Sequence, residues 1–83
     1  MKTINYKGHI VEVSAIRFTF ADEDTIQDGV LIHDTTDEFS NGDIIYGVSA
    51  DTIQDADDLE QLFEDTGCTV ITRNADGTYH AEA

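Results

Sequence analysis

Positive charge is what this chain of 83 residues has least of. Four Lys and Arg side chains stand against eighteen Asp and Glu, for a net charge of −14. Lys2, Lys7 and Arg17 precede the acidic zone and Arg73 follows it, so residues 18–72 contain no Lys or Arg at all. Of the eighteen acids only Glu12, Asp76 and Glu82 fall outside that span, which leaves fifteen within it. Such a surface repels nucleic acid, anionic membranes and acidic substrates, and attracts cations or basic proteins. It also repels itself, which weakens a compact state.

Other absences narrow the class. The single Cys68 cannot form an internal disulfide. No stretch approaches the 18 or so apolar residues of a membrane span, and the opening "MKTINYKGHI" has no apolar run of the signal-peptide kind. Together these favour a reducing, cytoplasmic setting and no membrane partner. No glycine-rich phosphate loop occurs. His9, His33, His80 and Cys68 show no paired metal-ligand spacing and sit in separate strand-like segments, where semi-buried sheet positions account for them. Cys68 has acids (Glu64, Asp65) rather than bases before it, which raise a thiol pKa instead of lowering it. The expectation is a protein without cofactor or metal, and not an enzyme.

What is present reads as one folded domain, residues 1–83, with an ordinary apolar share of 40%. "TINYKGHIVEV" alternates about a Gly8 turn and is a hairpin. In its second arm Val11, Val13 and Ala15 share one face by period two, whereas Ile16, Phe18 and Phe20 share the other. That phase change predicts a bulge or bend at residues 15–16, handing the strand from one packing surface to another. "GVLIH" and "DIIYGV" are further strands, joined by the turn-rich "DTTDEFSNG". "DTIQDADDLEQLFEDTG" (51–67) carries an apolar stripe at helical spacing, with Asp51 as N-cap, Gln54 completing a capping box and Gly67 as the stop. "CTVITR" and "TYHAEA" flank the hairpin punctuation "NADG". The order ββββαββ predicts an α+β fold, a mainly antiparallel sheet with one helix packed on it.

Asp-Thr-Ile-Gln-Asp is spelled twice, at 24–28 and 51–55. Each copy supplies an N-cap and a reciprocal glutamine, so each is expected to start a helical turn. Gly29 and "VLIH" abort the first, and "ADDLEQLF" propagates the second. The differing sequels argue against a structural repeat.

The acids are the candidate site. Asp34, Asp37, Glu38, Asn41 and Asp43 offer oxygen ligands but not the order of a calcium-binding loop, and "TRNADGTYHAEA" lacks the charged ends of one. On the predicted helix Asp57, Glu60 and Glu64 recur at i, i+3 and i+7, with Asp51, Asp55 and Asp58 in a second row. Steps of three or four residues space carboxylates about 4.5–6 Å apart along a helix axis, against about 3.4 Å of axis per phosphate on one DNA strand. Asp22, Glu23 and Asp24 form a second cluster. With Asp28 and the 34–43 loop, these acids are expected to converge into one anionic ridge. Nine Ile against five Val lean away from salt adaptation as the cause of the acidity.

In size, charge and lack of motifs the chain resembles the small acidic inhibitors made by phages and mobile elements, among them anti-CRISPR proteins and other DNA mimics. The resemblance implies a cytoplasmic binding protein whose acidic face docks on the Lys/Arg-lined channel of a nuclease or surveillance complex and keeps nucleic acid out, without itself binding nucleic acid. The alternative is an accessory interaction module of a mobile element that associates through exposed strands.

Overall fold

The computed structural model describes residues 1–35 and 43–83. Six strands and one helix follow in the order β1 (Lys2–Tyr6), β2 (His9–Phe20), β3 (Gln27–Asp34), β4 (Ile44–Tyr46), a 3₁₀ turn (Ala50–Thr52), α1 (Ala56–Phe63), β5 (Val70–Arg73) and β6 (Tyr79–Glu82). The fold is therefore α+β, as the pattern of elements predicts. The sheet is mixed, however. β1–β2, β2–β3, β3–β4 and β5–β6 are antiparallel, but β6 lies parallel to β2. Its spatial order is β4-β3-β2-β6-β5, with β1 beside the other half of β2. A chain that returns from α1 to insert β6 next to β2 leaves no local trace in sequence. Among the described residues no helix is long and apolar enough to cross a membrane.

The first hairpin closes through Lys7 and Gly8, both at positive φ (50° and 88°). That backbone twist matches the right-handed twist of the flanking strands. β2 is the spine. Its N-terminal half pairs with β1 and its last residues with β6, while β3 runs along its other edge. The expected bulge at 15–16 is absent, since the β2–β3 register is unbroken from Val11↔Asp34 to Phe18↔Gln27. The change of packing surface is real all the same. Val11 and Val13 join Ile4, Val30, Ile32 and Tyr46 under Ile53, Leu59 and Leu62. On the opposite face Phe18 joins Ile45 and Ala81, with Leu31, Ile71 and Tyr79 around them. One unbroken strand serves two cores because α1 covers one half of it and the β5–β6 hairpin packs against the other.

That curl ends in a seam. Ile45 and Cys68 exchange two backbone hydrogen bonds of 2.9 Å, an isolated bridge that joins β4 to the chain leading into β5. The second core is thus enclosed much as in a small barrel. Burial raises the Cys68 pKa above its ordinary value.

The helix is shorter than predicted, and Asp51 is not its cap. Ser49 caps the 3₁₀ turn, its side chain accepting from the Asp51 amide. Asp55 caps α1, accepting from the Asp58 amide at 3.0 Å, and the Asp58 carboxylate accepts from the Gln54 amide at 2.9 Å. This reciprocal pair does what a capping box does, four residues later than expected. Gln54 donates its side-chain amide to the Asp51 carbonyl. Nor is Gly67 the helix stop: α1 ends at Phe63 with Glu64 in right-handed geometry. A Cβ on Gly67 would collide with the side chains of Ile44 and Tyr46. The first Asp-Thr-Ile-Gln-Asp copy forms no helical turn; its last two residues already belong to β3. Gly29 lies within that strand because the Phe18 ring crosses it, so that a Cβ there would sit 2.5 Å from the ring and 2.7 Å from the Tyr46 carbonyl oxygen.

Candidate functional site

α1 is fixed to the sheet by three contacts that set where its acids point. Leu59 and Leu62 are buried against the β1–β4 face. Phe63 meets Tyr6 edge-on at a centroid distance of 5.3 Å. Lys2 reaches across to donate to the carbonyls of Ala50 (3.0 Å) and Ile53 (2.7 Å), so its charge satisfies the end of the 3₁₀ turn. At 100° per residue, burying Leu59 and Leu62 forces Asp57, Glu60 and Glu64 onto the opposite side, and all three are exposed. The predicted row therefore exists.

Its members are not equivalent. Glu60 pairs with Lys7 at 3.4 Å, with both side chains more than half exposed. The hydrogen bond to Glu60 is the leading reason that the Lys7 pKa is raised. Exposed pairs of this kind hold weakly and are screened by salt. Asp57 and Glu64 have no such partner among the described residues. Asp55 and Asp58 are committed to the cap, and Asp51 stands exposed on the 3₁₀ turn.

The second cluster is elsewhere. Lys2 pairs with Val13 and sits at the start of the helical segment, while Tyr6 and Lys7 meet its far end, so α1 covers the first half of β2. Asp22, Glu23 and Asp24 follow the other end of β2, at least seven residues beyond Val13, or more than about 23 Å at 3.3 Å per residue. The molecule is 36 Å long, so the two clusters lie toward opposite ends of it. Asp28 pairs with Arg17 at 3.8 Å. Asp34 is buried, with its carboxylate 3.3 Å from His9 Nδ1. Asp37, Glu38 and Asn41 lie outside the described residues. One continuous ridge is thus not what the fold builds. It builds an acidic helix face and a separate acidic tip.

The other candidates also disperse. His33 Nδ1 lies 2.6 Å from Asp43 Oδ1, and His80 Nδ1 lies 3.1 Å from Thr19 Oγ1. Among the described residues no three His, Cys, Asp or Glu side chains are grouped to hold a metal ion. In the 74–77 turn Asp76 accepts from both the amide and hydroxyl of Thr78, bonds that lower its pKa.

One feature of the site was missed in the sequence. A groove of about 560 Å³ runs between α1 and the segment 48–53, with Asp58, Leu62 and Asp65 on its helix side and Val48 and Ile53 facing them. Asp65 carries a carboxylate that the exposed-row spacing does not include. The signal was there, since residues 58, 62 and 65 recur at i, i+4 and i+7 on one flank. Tyr46 donates to the Asp65 carbonyl at 3.4 Å. Its pKa is pushed up by burial first and then by the Asp65 charge. Carboxylates without internal counter-charge can attract cations. Comparison with protein families, with curated proteins and with solved structures finds no match for this chain.

Proposed function

We propose that this protein is a non-enzymatic acidic binder that occupies the cationic, nucleic-acid-binding surface of a partner protein, in the manner of the small phage and mobile-element inhibitors it resembles. The observation that carries this is the excess of carboxylates over bases on the α1 face. Lys2 donates to two backbone carbonyls at the 3₁₀ turn and Lys7 forms an exposed pair with Glu60, while Arg17 lies beside Asp28 and Arg73 over the Tyr79 ring. Asp57, Glu64 and Asp51 are left to project unneutralised from a rigid support. A basic channel that ordinarily neutralises phosphates would meet carboxylates instead, releasing bound counterions from both surfaces. The association is then steered by charge and weakened by salt. Asp22, Glu23 and Asp24 form a second contact point on a partner long enough to span the molecule.

The test is competition. Proteins captured by the immobilised chain at about 0.05 M salt and released near 0.5 M, where screening is strong, are assayed for duplex DNA or RNA binding with and without the chain. The parent is expected to displace nucleic acid, and Asp57→Lys/Glu64→Lys to do so about tenfold less well, as for lost interfacial charge pairs. Captured proteins that bind no nucleic acid, or equal competition by the charge-reversed variant, rule the proposal out. The accessory-module reading rests on β1, which pairs with β2 alone among the described strands and so offers an edge. It predicts self-association that salt barely alters.

A further inference from the structure

We infer that the gap in the β2 edge between β1 and β6 receives an extended segment of the basic partner as an added strand, an inference that rests on the binding function proposed above. Successive residues of a strand turn their main-chain groups to opposite edges. The Ile10 carbonyl accepts from Thr35 on the β3 side, and the Ala21 amide donates to Ala81 on the β6 side. Odd-numbered residues of β2 therefore face β1 and β6. On that edge β1 pairs no further than Val13, and β6 begins at Phe18. The Ala15 amide and carbonyl and the Arg17 amide point into the space between them. Among the described residues no bond from another element reaches these three groups.

The gap spans residues 14–17 of the central strand, about 13 Å at 3.3 Å per residue. It opens into a groove of about 690 Å³ lined by those residues, Asp28 and the segment 76–79. The neighbouring turn does not fill it, because it bonds to itself. The Asn74 amide donates to the Thr78 carbonyl, the Gly77 amide to the Asn74 carbonyl, and Asp76 accepts from Thr78. Ala15 is left exposed.

Open ladder groups in a strand are matched by the main chain of another extended segment, the mode of recognition in strand addition. A residue opposite Ala15 supplies a carbonyl to its amide and an amide to its carbonyl, and a second carbonyl meets the Arg17 amide. Charge decides which chain enters. Asp28 and Asp76 outnumber Arg17 along the groove, and Arg17 already lies 3.8 Å from Asp28. An acidic strand is repelled there, including one from a second copy of this chain with its net charge of −14, whereas a basic one is attracted. The gap also falls on β2 between the part that α1 covers and the acidic tip at 22–24, so a segment held in it links the two acidic surfaces.

The experiment adds acetyl-Lys-Val-Thr-Val-Lys-amide to the full chain and follows amide hydrogen exchange by NMR. In the free chain Ala15 and Arg17 should exchange faster than Ser14 and Ile16, whose groups face β3. Peptide at ten times its Kd should slow Ala15 and Arg17 about tenfold and leave Ser14 and Ile16 unchanged. The same peptide N-methylated at its three central residues keeps the charge but lacks the donors for the Ala15 carbonyl. It should bind at least about fivefold more weakly, as loss of one hydrogen bond implies. Unchanged exchange at Ala15 and Arg17, or equal affinity of the N-methylated peptide, overturns strand addition but leaves the acidic binding face in place. Equal affinity for the peptide with Glu in place of Lys overturns the basic occupant. Protection that grows with the concentration of the chain alone makes a second copy the occupant and overturns it as well. Failure of the binding function itself is read separately, from the nucleic-acid competition.

Discussion

The two copies of Asp-Thr-Ile-Gln-Asp are identical in sequence and unlike in every structural respect. In the first, Ile26 is 45% exposed, Gln27 pairs with Phe18 in a sheet, and Asp28 lies at the surface beside Arg17. In the second, Ile53 is 4% exposed within the helix-side core, Gln54 binds back to Asp51 and Asp55 caps a helix. Local capping chemistry is available to both. The residues immediately C-terminal to each copy decide its use: Gly29, over which the Phe18 ring must pass, or an amphipathic "ADDLEQLF" whose leucines need a sheet face to cover. Five residues are too few to specify a conformation when burial favours different ones.

Five substitutions probe that contrast, beginning with the largest expected effect. Ile53→Ala should cost about 2–5 kcal/mol in denaturant unfolding, the range for truncating a packed isoleucine, while Ile26→Ala should stay within about 0.5 kcal/mol. Equal losses would mean that the first copy is buried as well. Gly29→Ala should destabilise by about 1–3 kcal/mol, the usual range for overpacking, because Phe18 and the Tyr46 carbonyl cannot both withdraw. A neutral result would make Gly29 the dispensable helix-breaker that the sequence suggests. Asp55→Ala should lose about 1 kcal/mol with its cap, and Asp28→Ala less than about 0.5 kcal/mol for an exposed pair. Helical circular dichroism should fall only in the former.

Asp76 is the gentlest case, an aspartate whose role is again set by its C-terminal neighbours, here Gly77 and Thr78. Its folded pKa is depressed by the two Thr78 bonds, so its stabilising contribution is present above the ordinary carboxylate range. It is lost as pH falls through the lowered value. The melting-temperature gap between parent and Asp76→Ala should therefore be open near neutral pH and close as pH falls below the ordinary carboxylate range. A gap independent of pH would assign the turn's stability to its backbone.

Where the chain's signals were local, the sequence could be read. Period two located the strands, and the positive-φ turn at Lys7 and Gly8 was marked by its glycine. The 3.6-residue period placed Asp57, Glu60 and Glu64 on one exposed side. The switch of faces along β2 was also visible, but its cause was misassigned. The sequence records that Val13 and Phe18 are buried on opposite sides, not that two different covers make this possible without a bulge. Helix start was ambiguous because Asp51 and Asp55 each precede a side chain able to reciprocate, and the fold chose Asp58 over Gln54. Whether distant acids converge was beyond local reading. It depends on the length of β2, 12 residues, which sets the acidic tip beyond the part that α1 covers.

The parallel pairing of β2 with β6 has a kinetic consequence. Thr19 meets His80, 61 positions later in the chain. Loop closure over such a span is slow compared with forming a helix or hairpin. During synthesis the β1–β2–β3 meander and α1 can assemble around their own core, while Phe18 and Ile45 wait exposed for Ala81 to arrive. The interval before that last strand docks is when the growing chain is most open to aggregation, and its dense negative charge then acts as a solubiliser.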